Sequence, residues 1–114
     1  MCSIDRENAV LASFLYSDDM GTDKTQAFVL DSDIFTSSYR RATANKINEE
    51  TNNDKMYGYL SVTLQDLTKG TKFESEWIDI IGYTGQTPIP FSVAKRYYDD
   101  LKVEYKKRLA GRFR

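Results

Sequence analysis

Histidine is missing from this 114-residue chain, and cysteine occurs once, at Cys2. The first absence removes the commonest general base and metal-binding side chain. Together they exclude ordinary structural zinc sites, Cys-His nucleophilic catalysis and an internal disulfide, and a lone cysteine suits a reducing interior. Proline occurs twice, both times between Tyr83 and Pro90. No apolar run approaches the roughly 20 residues of a membrane span. The first residues enter a charged amphipathic pattern directly, without a signal-peptide core, so a cytoplasmic setting is expected. Lys69-Gly70-Thr71-Lys72 lacks the Gly-Lys-Ser/Thr ending of a phosphate-cradling loop. The acidic pairs Asp18-Asp19 and Asp99-Asp100 lack the apolar neighbours that would raise a carboxyl pKa, so they read as solvated. The expectation is a chain with no catalytic residues, cofactor or metal of its own.

What is present fits one domain with its own core: 40% of residues are hydrophobic and 29% charged. A net charge of −1 and a pI near 5.4 argue against general affinity for nucleic acid. The charge is nevertheless uneven. Asp5, Glu7, Asp18, Asp19, Asp23, Asp31 and Asp33 face only Arg6 and Lys24 in the first third, whereas the end is basic. Either these ends attract each other, within or between molecules, or both are solvated faces.

In order along the chain, Ser3 to about Ser17 is expected to be a helix with Ile4, Val10, Leu11, Phe14 and Leu15 on one face. Asp18 to Asp23 is a polar loop, and the state of Gln26–Leu30 is open. A second helix, capped by Ser32 or Asp33, runs to about Glu50 with Phe35, Tyr39, Ala42 and Ile47 inward. Thr51–Asp54 is a turn. Tyr57–Leu64 alternates as a strand would, yet Leu60, Leu64 and Leu67 followed by Gly70 fit a helix, and no second strand is there to pair with. Phe73, Trp77, Ile78 and Ile81 mark a short fourth helix closed by Gly82. The fold expected is all-α, a compact bundle of about five helices around one core.

The last helix is the most legible. Ala94, Tyr97, Tyr98, Leu101, Tyr105 and Leu109 recur at steps of three and four. Pro90 suits its first position, Ser92 is an alternative cap, and Gly111 is a stop. Asp99 and Asp100 in the front half, and Lys102, Lys106, Lys107, Arg108 and Arg112 in the back half, complement the helix dipole. Glu104 is placed to pair with Arg108 one turn on. The tyrosine stripe fills either this domain's core or an interface, since tyrosine suits both. The basic tail either complements its own helix or touches phosphates.

These residues resemble a family. Ile4-Asp5-Arg6-Glu7-Asn8-Ala9-Val10-Leu11-Ala12-Ser13-Phe14-Leu15, followed by an acidic turn, is similar to the start of the N-terminal domain of DnaB-type replicative helicases. Asp33-Ile34-Phe35, the aliphatic set Leu60, Val62, Leu64 and Leu67, and Trp77-Ile78-Asp79-Ile80-Ile81 follow in the family's order. Tyr97-Tyr98 through Lys107-Arg108-Leu109 matches its terminal pattern. The chain departs from the family at Ala12, where glycine is usual, in a tyrosine-rich middle helix, and at Tyr39-Arg40, near a frequent histidine. It looks like a divergent member, of the kind a phage or mobile element carries.

The resemblance implies a non-catalytic collar: a helical bundle whose last two helices form a hairpin that pairs subunits into a dimer, and dimers into a trimer of dimers. It also implies contact with primase or a helicase loader, with ATP and Mg confined to a motor domain that follows. Carried onto this chain, the hairpin covers about 74–110, and its partner-facing residues are Trp77, Ile78, Ile81, Tyr97, Tyr98, Leu101, Tyr105 and Arg108. Two competing readings are the helicase-binding domain of a primase and a small DNA-binding regulator that uses the basic tail.

Overall fold

A computed structural model describes residues 3–18, 21, 23–53, 55–82 and 89–112, with the side chain of residue 112 excepted. Cys2, Asp19 and Met20 of the first loop, Asp54 of the expected turn and residues 83–88 of the connector lie outside the described residues. The chain folds as five α-helices: α1 Ser3–Leu15, α2 Ser38–Asn52, α3 Tyr57–Thr68, α4 Glu74–Gly82 and α5 Phe91–Arg112. Two 3₁₀ turns, Lys24–Gln26 and Ser32–Ile34, punctuate the α1–α2 connection. The described residues contain no strand, so Tyr57–Leu64 is helical despite its alternation.

The bundle is built around α1. Its residues from Glu7 to Leu15 are all buried, so this helix is enclosed on every side rather than amphipathic. Ile4, expected on the inner face, is instead 47% exposed. All four other helices pack on α1, α5 most extensively. Phe14 is the hub: its ring lies 5.0 Å from Phe28, 5.6 Å from Tyr57 and 4.8 Å from Phe91. Burying each such side chain contributes about 1.5–3 kcal/mol.

The segment left open by the sequence is a 3₁₀ turn running into extended chain, with Leu30 buried. Asn48 on α2 holds it as a neighbouring strand would. The Leu30 N–H donates to Asn48 Oδ1 at 2.8 Å, and Asn48 Nδ2 donates to the Leu30 carbonyl at 2.6 Å. One side chain thus satisfies both main-chain groups of a buried residue.

The start of α2 differs from the expectation. Ser32 and Asp33 lie in a 3₁₀ turn capped by Asp31, and the helix begins only after Ser37, whose hydroxyl accepts from the Arg40 N–H. The later start resets the phase: Tyr39, Thr43, Ala44 and Ile47 face inward and Ala42 is exposed. At α3, Met56 provides no cap, and Asp18 supplies one from across the molecule by accepting from the Gly58 N–H at 2.7 Å. Leu60 and Leu64 face inward, while Leu67 is exposed.

On α5, Phe91, Ala94, Tyr98 and Leu101 form the buried stripe facing α1, and the helix continues past Gly111. The Tyr98 hydroxyl accepts from the Asp31 N–H at 2.7 Å. Glu104 does not take up Arg108; it binds Arg6 of α1 at 3.1 Å, a tertiary pair that displaces the local one. Of the C-terminal pair of helices expected to form a hairpin, both α4 and α5 pack on α1.

Candidate interaction surfaces

The eight partner-facing residues read from the sequence divide among three environments. Trp77, Tyr98 and Leu101 are core residues, at most 4% exposed, and their side chains are taken up by this domain's own packing. Tyr97 is half-buried against the same core. Ile78 and Ile81 border a groove between α3 and α4, and Tyr105 and Arg108 line a separate cleft beside the end of α5.

The α3–α4 groove encloses about 280 Å³. Gln65, Asp66 and Lys69 form its α3 wall, Glu74, Ile78 and Ile81 its α4 wall, and buried Trp77 and Thr68 also line it. Tyr59 and Val62 continue the α3 face that carries Asp66 and Lys69, by the helical steps of three and four residues. These apolar side chains are unusually open for their size: Tyr59 is 75%, Val62 60% and Ile78 53% exposed. The Trp77 Nε1–H is buried without a hydrogen-bond partner among the described residues, an uncommon state for an indole. The α3–α4 turn itself offers little to a phosphate, because the Gly70 N–H already donates to Glu74 Oε2 at 2.7 Å.

The second cleft, of about 420 Å³, lies between the Ser32–Ile34 turn, the first turn of α2 and the end of α5. Asp33, Phe35, Thr36, Arg41, Tyr105, Arg108 and Leu109 line it. Arg41 Nη1 donates to the Phe35 carbonyl, and Arg108 Nη2 to the Ile34 carbonyl, each at 3.1 Å. The Arg108 guanidinium also sits 5.7 Å from the Tyr105 ring centre.

Beneath the start of α2 lies a polar network that joins three helices. Buried Arg40 donates to Asn8 Oδ1 at 2.9 Å and to Glu76 Oε2 at 3.4 Å, while the Ser37 hydroxyl donates to the same Glu76 oxygen at 2.7 Å. Buried Glu7 accepts from the Thr36 N–H at 2.7 Å and from its hydroxyl. The network binds α1 to α2 and α4, and only Thr36 of it also lines the second cleft. Elsewhere Asp99 is exposed between Lys95 and Lys102, and both hydrogen bonds hold its carboxyl below the usual range. Among the described residues no group of three His, Cys, Asp or Glu side chains is placed to hold a metal, and no helix is long and apolar enough to cross a membrane.

Tyr59, Val62 and Arg41 were not among the partner-facing residues read from the sequence. The first two carried a signal, since they lie outside the Leu60/Leu64 stripe of the same helix. Arg41 carried none, because its cleft is closed by a helix 67 positions away. Neither known protein families, nor curated proteins, nor solved structures contain a match to this chain.

Proposed function

We propose that this chain is a non-catalytic assembly module that pairs with copies of itself and docks a partner in DNA replication. That is the role implied by its resemblance to the N-terminal domain of DnaB-type replicative helicases, with primase or a loader as the docked protein. The observation that carries the reading is the apolar face of α3 and α4: Ile78 and half-buried Ile81 border the groove, and Tyr59, Val62 and Ile78 are open to solvent. Single exposed apolar residues need no explanation, but a set sharing one face is a mark of an interaction site. A helical bundle with its own core is also what a collar domain requires. The pairing surface of this reading is the α3–α4 face, since Tyr98, Leu101 and Trp77 are occupied within the domain.

A face this small buries area at the low end for specific complexes, so weak association is expected, with a Kd of about 100 µM, or about 5.5 kcal/mol. Sedimentation velocity over rising concentration tests it. The wild type is expected to pass from monomer to dimer, and Ile78→Asp, which leaves the core untouched, to stay monomeric. A wild type that sediments as monomer throughout, or a variant that dimerises equally, overturns the proposal.

A further inference from the structure

Five cations among the described residues have carboxylate partners: Arg6, Lys24, Arg40, Lys95 and Lys102. Arg41 and Arg108 have none there. They come from helices far apart in sequence and are tethered to two consecutive main-chain carbonyls, those of Phe35 and Ile34. Each guanidinium carries five donors and spends one on its carbonyl, so most of its N–H groups remain for a ligand. The tether restrains both side chains in advance, which lowers the entropy lost when they bind. They line one cleft whose volume, about 420 Å³, falls within the range of ligand sites.

From this geometry we propose that the cleft binds the carboxylates of an acidic, partly apolar peptide segment of a partner protein. Arg41 and Arg108 take two carboxylates in charge-assisted contacts, which are the strong class of hydrogen bond. Phe35, Tyr105 and Leu109 give apolar side chains between them a surface to cover. Asp33, on the same wall, is an acceptor for a main-chain N–H of the segment. Two phosphate contacts would give a salt slope of only about −1.8 on duplex DNA, too shallow to carry affinity for an acidic chain. The inference concerns a different surface from the α3–α4 face and does not depend on self-association.

Fluorescence anisotropy with a labelled peptide of alternating Glu and Leu tests it directly. Arg41→Gln and Arg108→Gln are each expected to weaken binding about tenfold, the loss typical of a hydrogen bond to a charged group. Lys106→Gln with Lys107→Gln removes twice that charge outside the cleft and is expected to change binding less than about twofold. Circular dichroism and thermal melts confirm that the variants fold. No binding by the wild type, equal binding of a Gln-Leu peptide, or equal losses in the lysine variant would overturn the proposal. So would a labelled single-stranded oligonucleotide that binds more tightly than the peptide and is released by the arginine substitutions.

Discussion

Asp18 shows how much one side chain can organise. It caps α3 through the Gly58 N–H and pairs with Lys24, whose ammonium also donates to the Lys55 carbonyl. Burial pushes its carboxyl up, but the Lys24 and Gly58 hydrogen bonds outweigh this and hold it below its ordinary 3.8. A depressed folded value means that the stabilisation is present above 3.8 and is lost as pH falls through the folded value. Asp18→Asn is therefore expected to cost about 0.5–1 kcal/mol at neutral pH, after solvent screening, and to approach the wild type in acid. Urea denaturation at neutral and acidic pH measures both arms. Tyr39 is the opposite case. Burial pushes its hydroxyl up to about 12, while the nearby Thr43 hydroxyl is committed to the Tyr39 carbonyl. Its hydroxyl is buried without a hydrogen-bond partner among the described residues, although its ring stacks on Phe73 at 5.5 Å. Tyr39→Phe keeps the stacking and removes the unmet group, so thermal melts should show stability unchanged or raised by up to about 1 kcal/mol. The variant should also lose the part of alkaline destabilisation that sets in above the ordinary value of 10.

At the scale of elements, the helices were legible wherever apolar spacing ran for three turns or more, as in α1 and α5. Their ends were less so, for a physical reason. Asp31, Ser32, Asp33 and Ser37 are all good caps, and the sequence alone does not say which one the backbone uses. A 3₁₀ turn capped by Asp31 occupies Ser32–Ile34, α2 starts only at Ser38, and the inward set has Ala44 in place of Ala42. The α3 cap was invisible for another reason, because its acceptor is 40 residues away. The Leu30 segment depends in the same way on Asn48. Asn48→Ala leaves a buried residue's N–H and carbonyl unpaired and is expected to cost about 1–3 kcal/mol, read by chemical denaturation. A cost near zero would show that solvent replaces the clamp.

For the whole molecule, composition and periodicity were enough for an all-α bundle, but not for its arrangement. The burial of α1 on every side follows from how four helices assemble around it, and the tyrosine stripe of α5 proves to be divided. Tyr98 is core, whereas Tyr105 lines a cleft. The candidate surface was legible in part. Ile78 and Ile81 were singled out from the sequence, whereas the signal of Tyr59 and Val62, their place outside the Leu60/Leu64 stripe, was masked by the strand-like alternation of the stretch. In the proposed assembly the α3–α4 face meets a second copy of the chain. Amide chemical shifts recorded by heteronuclear NMR at increasing protein concentration test it most directly. The amides of Tyr59, Val62, Asp66, Ile78 and Ile81 are expected to move together while those of α1 stay fixed. Shifts confined to the end of α5, or none at any concentration, would contradict it.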